Sequence, residues 1–258
     1  MNSTLLLFTF AIVVYMTIKN IQTLKKYRQT KGYVECFNKV KEQGDCAYDD
    51  VLTYLNNEKS EELKAKAKLF KLYIELDKYP DKVDETFEDL SFKEIFENKG
   101  KFALEKALTN ADIFVWYIMC LARAKRVNRV DMLEKMMKKL CIYQDELGVM
   151  VEYQLVAAVY KALAKLEDSG VEFFNILLNG EYTKLRYEKR FIGIYKRFAA
   201  CTLLYLAENI SDYDKEDLKI FTESYIGKQY MIELGLYDSY IKTFESIDLS
   251  NDKPAEEE

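Results

Sequence analysis

The chain has 258 residues, 49% of them hydrophobic and 31% charged, with a formal net charge of −5. This length and balance supply a core for one large domain or two small ones and exclude disorder throughout. Histidine is absent, which excludes Ser–His and Cys–His dyads and every His-ligated metal site, while the mildly acidic total excludes a general polyanion binder.

The first eighteen residues carry no charged side chain. In a helix they span about 27 Å, close to the ~30 Å hydrocarbon core of a bilayer. Leu5, Leu6, Leu7, Phe8, Phe10, Ile12, Val13, Val14 and Ile18 together favour insertion by about 3–5 kcal/mol. A cleaved signal peptide needs a basic start and a small-x-small cleavage site; "MNST" and "VVYMTIKN" provide neither. A core helix of a soluble fold needs a polar stripe, and Thr9 is the one polar residue between positions 5 and 16. Residues 1–18 are therefore expected to form a retained transmembrane anchor. Lys19, Lys25, Lys26, Arg28 and Lys31 follow it before the first acid, Glu35. By the positive-inside rule the N-terminus lies outside and the bulk of the chain is cytoplasmic. Residues 19–31 form a basic juxtamembrane segment placed to meet anionic headgroups.

An all-α domain is expected over 32–247. Two prolines and nine glycines are too few for a turn-rich β fold, and apolar residues recur at helical spacing. Tyr33, Phe37 and Val40 mark a first helix and Val51, Leu52 and Leu55 a second. Ser60, followed by Glu61 and Glu62, caps a long helix with a Leu63–Ala67–Phe70–Ile74 face that ends before Pro80. Val83, Phe87 and Leu90 follow, then a Ser91–Glu94 capping box. Asn110 is expected to cap "ADIFVWYIMCLARAK", whose ten-residue apolar run 113–122 suits a buried core helix rather than a second span. Val130, Leu133, Met136, Met137 and Leu140 give an amphipathic helix, and "ELGVMVEYQLVAAVYKALAKLED" a long Ala-rich one. Tyr187, Phe191, Ile194, Phe198 and Cys201 continue the pattern as one seam, and two or three helices follow before an acidic, disordered tail at 248–258.

"LFKLYIELDKYPDKVDETFEDL" (69–90) and "VAAVYKALAKLEDSGVEFFNILL" (156–178) each read as helix, short turn, helix. Their aromatic and small residues resemble those of tetratricopeptide-like helical hairpins over about a quarter of the chain. The resemblance implies an α-solenoid that binds proteins; the periodicity alone allows a globular helical bundle equally.

Two basic clusters stand out. "TKLRYEKRFIGIYKRF" (183–198) places Arg186, Lys189, Arg190 and Arg197 on one side of the helix that its spacing predicts, opposite the aromatic seam. The patch suits an anionic lipid or an acidic partner segment; an ordinary solvated face with ion pairs is the plainer reading. "RAKRVNR" (123–129), with Lys135, Lys138 and Lys139, is placed where a helix dipole alone favours cations. The acids of "DETFEDL" and "YDKED" read as caps and solvated faces. The aromatics keep helical spacing instead of alternating with basic residues on a strand or loop, so nucleic acid is not expected as a partner. Cys36, Cys46, Cys120, Cys141 and Cys201 are odd in number and widely spaced, as free thiols of a reducing compartment are.

No phosphate loop, nucleophile elbow or metal-ligand spacing is present, and no cofactor is expected. The expectation is a non-enzymatic, single-pass cell-membrane protein acting as a protein-interaction scaffold on the cytoplasmic face. The alternative is a peripheral anionic-lipid or polyanion-binding module using the basic helix 184–197. An enzyme would need converging buried acids or a thiol in a helical cavity.

Overall fold

The computed structural model describes residues 30–97, 100–166, 169–206 and 212–240, with the backbone alone at 101 and 212–216. The expected anchor 1–18, Lys19, Lys25, Lys26 and Arg28, and the tail 248–258 lie outside the described residues. Within them every regular element is helical, and no helix is long and apolar enough to cross a membrane.

Where one domain over 32–247 is expected, the chain divides into two compact units, one ending at Lys71 and the next beginning at Leu72. In the first, α1 (30–43) leads through a 3-10 turn, Gly44–Ala47, to α2 (Tyr48–Asn57) and the first part of α3 (Glu61–Lys78). The expected boundary at residue 32 falls inside α1, and Lys31, exposed on that helix, pairs with Glu35 at 3.6 Å. Cys36 and Val40 are buried, and Tyr33 and Phe37 are half-buried against Phe70, with ring centroids 5.5 and 6.0 Å apart. Lys39 bonds Asp50 between α1 and α2. Burial pushes the Cys36 thiol up to about 11, so it behaves as a small apolar side chain. Ser60 caps α3 as expected, its hydroxyl accepting from the Leu63 amide at 3.4 Å.

The second unit is built round α7 (Asp112–Arg126). All twelve residues from Ile113 to Ala124 are buried, which is the outcome expected for 113–122. α8 (Val130–Cys141) and α10 (Val151–Ala164) pack on α7. α11 (Val171–Leu178), α12 (Ile192–Tyr205), α13 (Asp212–Glu223) and α14 (Tyr225–Glu233) then follow, each touching the next. Such neighbour-to-neighbour packing is common to a helical-hairpin array, but α14 returns to pack on α7. A contact between elements so far apart in sequence closes the unit about a central helix, as in a bundle.

Shorter helices α4 (Val83–Asp89), α5 (Lys93–Phe96), α6 (Lys101–Thr109) and α9 (Gln144–Leu147) complete this unit. Asn110 does not open α7 through its side chain: its amide donates to the Lys106 carbonyl at 2.9 Å, closing α6, while its backbone carbonyl accepts from Ile113. Two glycines are fixed by close approach. A Cβ on Gly227 of α14 would lie 2.0 Å from the Phe221 carbonyl oxygen, and one on Gly170, at φ +80°, would lie 2.7 Å from the Ala158 oxygen. Both let neighbouring helices meet at the backbone.

Candidate interaction groove and its basic rim

The sequence predicts one helix through 183–198. The structure corrects this: 181–188 is irregular, Lys189–Phe191 is a single 3-10 turn, and α12 begins at Ile192. Tertiary hydrogen bonds outweigh the local helical period here. The Arg186 amide donates to the Val149 carbonyl at 2.9 Å, and the Val151 amide donates to the Arg186 carbonyl at 2.9 Å. Together they form an isolated parallel bridge between Met150 and Arg186. Met150 is extended, at φ −98° and ψ 138°, and this conformation presents its neighbours' amide and carbonyl groups to the loop. A third bond comes from the Glu188 amide to Glu152 Oε1 at 2.9 Å. The Tyr182 and Tyr187 rings meet edge-on, with centroids 5.1 Å apart. The expected aromatic seam shifts accordingly, so that Tyr195 rather than Ile194 is buried beside Phe198 and Cys201.

The loop forms one side of an open groove of about 700 Å³. Lys184 and Arg186 stand on that side; Asp145 and Glu146 of α9 also line the groove; and Gly100, Leu104 and Val149 supply the rest. Among the described residues no ion pair joins Asp145 or Glu146 to Lys184 or Arg186, so both signs of charge are held apart and open to an occupant. Val149 is 49% exposed and gives the groove an apolar contact point.

The four cations of the expected patch separate. Arg186, Lys189 and Arg190 are exposed. Arg190 lies 3.8 Å from Glu188 and 4.9 Å from the Phe191 ring centroid. Arg197, a turn into α12, is withdrawn from the patch: its Nη2 and Nε donate to Asp217 Oδ1 at 2.9 and 3.1 Å. Lys184 takes its place at the groove. Asp145 and Glu146 were legible only as ordinary surface acids, because nothing local marks them as facing a basic loop forty residues away.

Most cations of the second basic cluster are paired within the fold. Arg123 is buried, with its Nε donating to Glu233 Oε1 at 2.8 Å and its guanidinium 3.5 Å from the Tyr73 ring centroid. The Tyr73 hydroxyl donates to the same carboxylate oxygen at 2.8 Å, and Arg126 Nε donates to Glu233 Oε2 at 2.6 Å. Arg126 also reaches Asp77 at 3.2 Å. Burial works against the charge on Asp77, but Arg126 and Lys78 outweigh it and hold the carboxyl below its ordinary range. Arg129 pairs with Asp131 and Asp84, Lys135 with Asp84, and Lys138 with Glu134. The hydrogen bond from Lys135 lowers the pKa of Asp84, and that from Arg129 lowers the pKa of Asp131.

No group of three or more acids and cysteines is placed to hold a metal ion among the described residues. Comparison of the chain with known protein families, curated proteins and solved structures found no match. The fold and the groove therefore define a class only: an all-α protein with a mixed-charge groove and a basic loop tied to its rim.

Proposed function

We propose that this chain is a single-pass, N-out membrane protein whose cytoplasmic helical domain holds a segment of a partner protein in the groove beside the 181–188 loop. One observation carries the choice of surface: oppositely charged residues line an open groove around Val149 without pairing with one another. An extended segment carrying both signs of charge complements such a lining, and polar walls with an apolar contact suit a weak, specific interface. The anchor supports the reading by raising the effective concentration of a bilayer-bound partner; its support is the charge-free run 1–18 followed by Lys19, Lys25, Lys26, Arg28 and Lys31.

The test is a photo-crosslinking residue at Val149 in cells, with the same residue at Val130, 48% exposed, as the control. Adducts specific to position 149 are expected, and equal capture at both positions would overturn the groove as a partner site. Orientation is checked separately with a reporter after Glu258. Cytoplasmic fluorescence is expected, and phosphatase activity outside the cell would overturn it.

A second reading places the rim itself on anionic lipid. It is favoured by the exposure of Lys184, Arg186, Lys189 and Arg190 on one short stretch beside the half-exposed rings of Tyr182, Tyr187 and Phe191. A crosslinker at Phe191 in nanodiscs would then capture lipid in anionic but not neutral bilayers, and capture that ignores lipid charge would remove this reading.

A further inference from the structure

We propose that Glu152 is a positioning residue for the basic rim, a buried latch whose protonation state sets how firmly the 184–188 segment is held against α10. This rests on the reading that the rim belongs to a binding surface, and it adds how that surface is regulated. Glu152 is 0% exposed in the first turn of α10. One oxygen accepts the Glu188 amide at 2.9 Å, so the carboxyl reaches the loop directly. Its other oxygen, Oε2, has no hydrogen bond of normal geometry, and neither has the buried hydroxyl of Tyr195 on α12. The two lie close enough to influence each other's ionisation. A protonated carboxyl can donate to the Tyr195 hydroxyl while its carbonyl oxygen still accepts from Glu188. An ionised carboxyl keeps the Glu188 bond and can accept from the Tyr195 hydroxyl, but it places a buried negative charge there.

The charged and titratable side chains that act most strongly on this carboxyl among the described residues include no cation. Glu188 on the loop repels it, Tyr195 is the partner from α12, and Asp112 of α7 acts on Tyr195 with the same sign. Burial is the largest influence and raises the Glu152 pKa above its ordinary value; the Glu188 amide, its own amide and the Tyr195 hydroxyl pull the other way without cancelling it. The sign then follows. With the loop lifted, Glu152 meets water and titrates normally. With the loop closed, it prefers its proton. Closure is therefore favoured at low pH and is weakened as pH rises through the raised value. A rise in pH loosens the strand-like pairing that holds Lys184 and Arg186 at the groove.

Hydrogen exchange on the full chain in nanodiscs tests this without any partner. The amides to follow are Val151, Arg186 and Glu188, each donating between the 186–188 segment and residues 149–152, with α7 amides as the global reference. Their protection factors, corrected for the intrinsic rate, are expected to fall with rising pH by up to about tenfold per unit in the titration window. Glu152→Gln keeps an acceptor for Glu188 and gains an N–H for Tyr195, so protection should stay high and lose its pH slope. Glu152→Ala should lower protection at Arg186 and Glu188 about tenfold or more at every pH, with α7 unchanged. A slope that persists in Glu152→Gln, or unchanged protection in Glu152→Ala, would overturn the latch. If exchange behaves as expected but crosslinking at Val149 and Phe191 does not follow pH, the binding readings fail and the latch stands.

Discussion

The two basic clusters, around 123–139 and 184–190, look alike in sequence and are used in opposite ways. In the first, Arg123 and Arg126 share Glu233, Arg129 and Lys135 share Asp84, and Lys138 takes Glu134. In the second, Lys184 and Arg186 are exposed on the irregular loop and Lys189 on the 3-10 turn that follows it. Charge density along a sequence thus says little about availability. What matters is whether another element brings a carboxylate within reach. α14 does so for α7, since Glu233 is its last residue, whereas α9 brings Asp145 and Glu146 to the groove without pairing them to the loop.

The contrast can be broken most forcefully at Glu233. Replacing it with Ala leaves Arg123 buried with neither its carboxylate nor the charge balance of the cluster, and should cost about 3–5 kcal/mol in urea unfolding. A loss under 1 kcal/mol would mean that α14 is not held to α7 through this pair. The double change Arg123→Met with Glu233→Leu should recover most of that loss, because two charges and their desolvation are removed together.

Acid sharpens the comparison next. Asp77, Asp84 and Asp131 have lowered pKa values in the folded state. Their contribution is present above the ordinary carboxylate value and is lost as pH falls through the lowered ones. Glu152 has the opposite sign, its contribution being present at low pH and lost as pH rises. Melting followed from pH 7 downward should therefore show the 123–139 region losing stability below about pH 4, while exchange at the rim slows over the same descent. Rim and α7 amides that respond to pH in the same direction would contradict the distinction.

Smaller effects separate Arg197 from its sequence neighbours. Arg197→Ala removes a partly buried pair with Asp217 and should destabilise by up to about 1 kcal/mol. Replacing Lys184, Arg186 and Lys189 together with Ala should change stability by no more than about 0.5 kcal/mol yet reduce crosslinking from Val149 or Phe191. Unaltered capture in that triple variant would show that the rim does not take part in binding.

Much of the fold was legible because local chemistry and burial agree. The Leu63, Ala67, Phe70 and Ile74 face is buried throughout, and the apolar run 113–122 lies in the central helix. On α8, Leu133, Met136 and Leu140 are buried, but Val130 at the first turn is exposed. It keeps the apolar rhythm of the helix, but none of the described residues buries it. The error at 183–191 has a different origin. Spacing there allows a helix, but the Val149–Val151 backbone takes up the amide and carbonyl of Arg186, which a helix would use internally.

By itself, then, the sequence determined what depends on local order: the all-α class, most helix faces, the Ser60 cap, and the positions of both basic clusters. Tertiary structure alone decided the division at residue 71, the return of α14 onto α7, the burial of Arg123 against Glu233, and the tie from Glu152 to the loop. The last two are contacts between residues 110 and 36 positions apart, and no periodicity within a helix encodes such a distance. The physical reason is that a helix registers its own three- and four-residue spacing, whereas a charge or a hydrogen-bonding group is assigned its role by whatever the fold places opposite it.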